Sequence, residues 1–431
     1  MWHLAVLRHT DGWSLLLLTM GLALVAVAMG WLIDVNKFSL HAIYRNRLIR
    51  AYLGASKETR HPNPFTGFDP LDNLEMYKLS PDRAPDGSPP RLLHVVNIAL
   101  NLVKNDRLAW QERKAESFTV TPLHVGNWQL GYRPSIEYGQ SKKGNSISLG
   151  TAISISGVAA SPNMGYHSSP AVTLLMSLFN LRFGWWLGNP GKAGGATYDK
   201  SSPTFTIGPM IQEAFGFTND DNPYVYLSDG GHFENLGLYE MVLRHCRFIL
   251  AIDSGRDPDC AFEDLGNAIR KIRIDLGVSI ALQKVQIYSR SNTSRKTADI
   301  PKYCAIGSIG YSRLDPSEPN GLLIYIKPAL CEDEPVDIYN YAQTSPGFPH
   351  ESTNDQWFSE SQFESYRVLG SHIIEQLCGT DWEQQARTWT GSKLELFHAQ
   401  VRKYMALGAK PMPSGDGQSQ PSPAVVITGP P

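Results

Sequence analysis

YVYLSDGGHFENLGLYEMVLRHCRFILAID, residues 224–253, sets three patterns end to end. YVYLS is a short apolar run of aromatic and β-branched residues, which predicts a buried strand. The apolar spacing of ENLGLYEMVLRHC predicts a helix, and RFILAID predicts a second buried strand. Strand, helix and strand within about 30 residues form a βαβ unit, which predicts a parallel pair joined by a right-handed crossover. Between the first strand and the helix stand Asp229, Gly230 and Gly231.

Outward from this unit the alternation continues. NSISLGTAISIS (145–156) predicts a strand, followed by a small-residue loop to about 168 and a helix over 169–179. FGWWLGNPGKAGG (183–195) reads as a glycine-heavy loop, AFEDLGNAIRKIRIDLG (261–277) as an amphipathic helix. YCAIGSIGYS (303–312) and GLLIYIKPAL (321–330) flank the turn-rich DPSEPN and predict a long-looped hairpin. A further helix lies within 356–378. The fold class is α/β, a central sheet flanked by helices.

Composition excludes several functions. With 39 basic and 41 acidic residues the net charge is -2, which gives no support for nucleic-acid binding. The 5 cysteines are widely spaced without a Cys-x-x-Cys pair, so neither a zinc site nor a disulfide framework is indicated. No cofactor is implied.

WSLLLLTMGLALVAVAMGWLI, residues 13–33, contains no charged residue. Roughly 20 apolar residues cross the hydrocarbon core of a bilayer. A retained membrane helix is the expectation, with Trp13 and Trp31 as interfacial aromatics. The alternatives are a signal peptide cleaved near Ala26-Val27-Ala28 and a buried core helix. Lys37, Arg45, Arg47 and Arg50 follow the span while Arg8 precedes it, so the positive-inside rule predicts a single-pass protein with its main domain in the cytoplasm. The next segment, KFSLHAIYRNRLIRAYLGA, predicts an amphipathic helix that lies on the membrane surface or packs on the domain. The expected organisation is a membrane helix and short N-terminus over 1–34, a juxtamembrane helix and irregular linker over 35–92, an α/β domain over 93–405, and a disordered tail over 406–431.

In open α/β sheets functional groups gather at the carboxyl ends of strands, and Asp229 stands there. Gly230 and Gly231 allow a sharp turn without a Cβ penalty. That geometry admits a catalytic base, a metal ligand, or a turn-forming residue that satisfies loop amides. His232 and Glu234, or Asp253, Asp257 and Asp259, supply further acidic or imidazole ligands, but neither set matches a metal-binding pattern.

The run LSDGGHFENLGLYEMVLRHCRFILAIDSG (227–255) resembles the segment of patatin-like and cytosolic phospholipase A enzymes that carries their catalytic aspartate. In that superfamily Asp-Gly-Gly ends a strand, a short helix follows, and the next strand ends in another Asp. Those features fall here on Asp229, Gly230, Gly231, Asn235 and Asp253. ESFTVTPLHVGNWQLGYRPSIEYG (116–139) is similar to the segment between nucleophile and aspartate. Residues 35–369 resemble the C-terminal half of bacterial membrane-associated patatin-like proteins, with SPNMGYHSSP, FGWWLGNP and HESTNDQWFSESQFESYR as typical stretches.

The resemblance implies a patatin-like (acyl hydrolase, lysophospholipase) fold, incomplete on its N-terminal side. It also implies acyl transfer by a serine–aspartate dyad, with Asp229 as general base. The nucleophile belongs in Gly-x-Ser-x-Gly, a pattern the chain lacks. The nearest substitute is Ser156, read otherwise as a buried, hydrogen-bonded strand serine. The expected function is therefore the C-terminal part of a phospholipase acting on a phospholipid or other lipid ester, inactive alone or dependent on a separately encoded N-terminal half. The alternative is a non-enzymatic, membrane-anchored lipid- or protein-binding homologue.

Overall fold

The computed structural model describes residues 11–80, 92–104, 112–141, 144–157, 171, 173, 175–176, 181–293, 300–352, 355 and 358–407. The expected small-residue loop and most of the helix over 169–179 lie outside them, as does the tail from 408. The chain divides into two compact units, one of residues 1–251, 263–279 and 310–321, the other of 252–262, 280–309 and 322–431.

In the first unit the apolar segment forms helix α1 (Gly12–Leu32), capped by the Asp11 carboxylate. Its one buried residue is Gly30. It is long and apolar enough to cross a membrane by length and composition. Helix α2 (Leu40–Leu48) follows. Six strands form a sheet in the order β4-β3-β2-β1-β6-β5: β1 (Val96–Asn101), β2 (Ala115–Val120), β3 (His124–Asn127), β4 (Gly131–Pro134), β5 (Trp185–Gly188) and β6 (Tyr224–Ser228). Helices α3 (Leu149–Ser156), α4 (Ile207–Ala214), α5 (Leu238–Leu243) and α6 (Glu263–Leu276), with strand β7 (Phe248–Ile252), complete the elements used below.

The side-chain period of a strand explains the core. Val225 and Leu227 of β6 pack with Trp185 and Leu187 of β5, Ile98 and Leu100 of β1, and Ala152 and Ile155 of α3. The alternate residues Tyr226 and Trp186 turn to the other face, where they meet Val35. FGWWLGNP is thus a strand that sends its two tryptophans to opposite faces, not a loop.

Two further expectations change. β1 and β5 pair antiparallel to the two sides of β6, so no edge of β6 remains for β7. The parallel βαβ pair does not form. Residues 149–156 are helix α3, not a strand. Leu149, Ala152 and Ile155 share the buried stripe, and the Ser148 hydroxyl accepts the Thr151 amide as N-cap. Gly150 admits Ile49, which a Cβ would meet at 2.4 Å. Ile153 and Ile155 mimic strand alternation, but the cap and the helical stripe decide.

Helix α2 packs on α3, as the second reading of the juxtamembrane segment expects. His41 is buried, with its Nδ1 against the Phe183 carbonyl and its Nε2 3.1 Å from Ser154 Oγ. Burial holds its pKa down at about 3, so the imidazole is neutral and structural. The outer backbone of edge strand β5 is also engaged. Asn36 donates to the Trp186 carbonyl at 2.7 Å and accepts the Trp186 amide at 2.9 Å, which blunts a free edge.

In the second unit β8 (Ile280–Leu282), β9 (Cys304–Ile309) and β10 (Gly321–Ile326) lie side by side in the order β10-β9-β8, so the expected hairpin strands are neighbours. Helices α7 (Val336–Thr344), α8 (Glu360–Cys378), α9 (Trp382–Thr388) and α10 (Lys393–Ala406) follow. The buried Lys302 ammonium caps the end of α10, donating to the carbonyls of Tyr404 and Leu407 at 2.9 Å each.

Candidate functional site

The antiparallel register of β1 on β6 pairs Ala99 with Ser228, which carries the start of β1 alongside the turn that follows β6. There the chain must come close to β1, and glycine is what permits it. A Cβ on Gly230 would meet the Asn97 carbonyl oxygen at 2.9 Å. One on Gly237, whose φ is +69°, would meet Asn97 Nδ2 at 2.6 Å. Gly230–His232 forms a single 3-10 turn with Asp229 as its N-cap.

A cavity of about 320 Å³ opens at this end of the sheet. Asp229, Gly230, Gly231 and Asn235 line it, and so does Ser156 from the last turn of α3. The structure therefore brings Asp229, Gly230, Gly231, Asn235 and Ser156 around one space, whereas Asp253 does not line it. His94, Asn97, Ile153 and Glu234 complete much of its wall. No motif pointed to Asn97 or His94; they arrive through strand pairing. Tyr44 of α2 lies close enough that, after burial, the Asp229 charge raises its phenol pKa.

The Asp229 carboxylate accepts the Gly231 amide at 2.7 Å. Burial pushes its pKa up to about 6, against the pull of that hydrogen bond. Such a group is ionised at neutral pH yet more basic than an ordinary carboxylate. Ser156 donates to the Asn97 carbonyl at 2.6 Å. It closes a helix, where backbone carbonyls converge, and does not open one.

The neighbouring acids and imidazole have structural partners. Glu234 accepts the amides of Leu236 and Tyr239, and burial raises its pKa. Lys271, pushed down to about 8 by burial, donates to the Phe233 carbonyl. His232 Nδ1 lies 2.8 Å from Ser228 Oγ. Asn235 donates to Asp264 at 2.9 Å. In the second unit Asp253 receives Lys327 at 2.9 Å and Tyr325 at 2.5 Å, and Asp257 lies 3.6 Å from the same ammonium. A lysine thus already supplies the positive charge that these carboxylates face. Among the described residues no group of three or more His, Cys, Asp or Glu is placed to hold a metal ion.

Replacing Asp229 by asparagine separates a buried functional acid from a turn-forming one. Because its pKa rises from 3.8 unfolded to about 6 folded, the folded state binds the proton more tightly. Stability from this group is then lost as pH rises from about 4 to about 6 and stays lost above. An asparagine side chain keeps a capping oxygen without the charge. Allowing for partial exposure, Asp229→Asn is expected to stabilise the protein by on the order of 2 kcal/mol at pH 7.5 and to change little at pH 4. Denaturant titrations at the two pH values check this; a variant less stable than its parent at pH 7.5 would assign Asp229 to the turn alone.

No family model matches the chain, and no curated protein matches it. Among solved structures, human GIVD cytosolic phospholipase A2 is similar to it with a TM-score of 0.40 and 15% sequence identity, over 88% of this chain and 54% of that one. The chain spans about half the length of that structure.

Proposed function

We propose that the cavity is the base-bearing part of a patatin-like acyl-hydrolase site acting on a lipid ester, with Asp229 as general base. The observation that carries this reading is a carboxylate of raised pKa at the end of β6, facing a cavity beside a glycine turn. Asp229 takes the proton of a serine hydroxyl as the serine oxygen bonds to the ester carbonyl carbon. It returns that proton to the leaving alcohol as the tetrahedral intermediate collapses to an acyl-serine. Water, deprotonated by the same carboxylate, then attacks the acyl-serine carbonyl, and the carboxylate returns that proton to the serine oxygen as the acid leaves.

Ser156 is poorly placed to be that serine. A nucleophile elbow places its serine at the N-terminus of a helix, where amides favour an oxyanion. Ser156 sits at the C-terminus of α3, where the helix dipole opposes negative charge. Helix α1 holds this site at a membrane, with the domain on the cytoplasmic side.

Co-expression of the chain with a partner carrying Gly-x-Ser-x-Gly is expected to give esterase activity that falls about 10²–10⁴-fold in Asp229→Asn. Activity unchanged in that variant, or absent from every pairing, would overturn the reading. A fluorophosphonate probe on the chain alone tests Ser156: labelling lost in Ser156→Ala would place the nucleophile in this chain. Lipid binding that survives Asp229→Ala, with no hydrolysis in any pairing, is the result expected of a non-enzymatic binding homologue.

A further inference from the structure

A second space, a groove of about 750 Å³, opens where α1 meets the domain. One side is the foot of the apolar helix. Trp31 and Leu32 are 64% and 80% exposed there, and Phe38 beyond the helix is 68% exposed. The other side is the segment that carries Asp199 and Lys200, and Lys37 borders the same groove. Large apolar side chains left open beside charged ones suit neither a core nor an ordinary wet surface. A ligand that satisfies both is amphiphilic.

The groove is held in shape by contacts inside the first unit. Thr206 donates its amide to the Gly30 carbonyl at 2.8 Å and its hydroxyl to the Ile33 carbonyl. The rings of Trp31 and Phe205 lie 5.1 Å apart, and Asn36 donates to the Ser201 carbonyl at 3.1 Å. A Cβ on Gly30 would meet Phe205 at 2.9 Å, so glycine is what lets the helix foot seat. A pocket fixed before binding loses little entropy when its ligand arrives.

The charges select the ligand. Asp34 accepts the amides of Asn36 and Lys37 and the Ser202 hydroxyl, so it does not depend on the exposed Lys37 ammonium 3.4 Å away. An exposed pair of this kind is weak, which leaves Lys37 able to turn to an anion. Lys200 and Asp199 carry no ion pair among the described residues. Two available ammonium groups and one carboxylate beside an apolar wall complement a phosphate ester that bears its own ammonium. We infer that the groove binds one zwitterionic phospholipid, its phosphate between Lys37 and Lys200, its ammonium at Asp199, and an acyl chain along Trp31 and Leu32. This site is distinct from the Asp229 cavity and rests on α1 crossing a bilayer.

The test uses the full chain in an uncharged maltoside detergent and a short-chain diether phosphocholine, which has no ester bond to cleave. Saturable change in tryptophan fluorescence is expected, and Trp31→Phe should remove it. Lys37→Gln with Lys200→Gln is expected to weaken binding about tenfold or more, the scale of hydrogen bonds to a charged group. Both lysines are exposed, so an unchanged circular dichroism spectrum serves as the folding control. A diether lipid phosphate without the ammonium should bind more weakly, and Asp199→Asn should erase that difference. Unchanged affinity in the double lysine variant, or full displacement by inorganic phosphate at equal concentration, would overturn the site. Alkaline extraction of membranes tests the premise separately: release of the chain overturns the membrane reading even where the groove still binds.

Discussion

Arg182→Met is expected to cost about 3–5 kcal/mol of folding stability at neutral pH, the scale of breaking one partner of a buried ion pair. Arg182 and Glu213 are fully buried and 2.8 Å apart. The same carboxylate oxygen also accepts the indole N–H of Trp186, so the pair ties α4 to the edge strand β5. Burial already raises the Glu213 pKa and Arg182 lowers it. Without the guanidinium, the folded carboxyl is raised further above its unfolded value. The deficit therefore grows as pH rises through the ordinary carboxylate range and is smaller at pH 4. Adding Glu213→Gln should restore much of the loss, because a neutral amide still accepts from Trp186 and leaves no charge unpaired. Urea titrations of the two single variants and the double variant at pH 4 and 7.5 give the answer. Losses that simply add would show that the two groups are not coupled.

Lys327→Met is the corresponding change in the second unit and is expected to cost a similar 3–5 kcal/mol. Lys327 and Asp253 are 1% and 2% exposed, and the ammonium also reaches Asp257 at 3.6 Å. Removing it strands the Asp253 charge with, among the described residues, the Tyr325 hydroxyl and the Gly255 amide as donors. Asp257→Asn should cost far less, about 1 kcal/mol or below. Its ammonium contact is long, and asparagine retains one acceptor for the amides of Ala261 and Phe262. Thermal melts rank the two variants; equal losses would mean that the lysine serves both carboxylates alike.

Much of the local structure follows from local patterns. The α1 segment, the strands β6 and β7, helix α6 and helix α8 are each carried by a periodicity within one element. Asp229 at a strand end before two glycines is visible in the same way, since Ser228 ends β6 and the turn begins at Gly230. Where one short run fits two periods, the sequence is ambiguous. LGTAISIS alternates like a strand, yet Leu149, Ala152 and Ile155 also fall on one helical stripe, and Ile49 packed against Gly150 goes with the helix. WWLG resembles a loop among glycines until β6 pairs with it.

The sequence by itself determined that an acid stands at a strand end, that a glycine turn follows it, and that an apolar helix precedes the domain. Only the tertiary structure decided what surrounds that acid. Ser156, Asn97 and Asp229 meet in one cavity because β1 pairs with β6 and α3 packs on β1. The same holds for Arg182 with Glu213 and for Lys327 with Asp253, ion pairs whose partners lie far apart along the chain. The reason is physical. A residue's periodicity records which face it buries, whereas its partner depends on which strands take the available edges, and both edges of β6 went to β1 and β5.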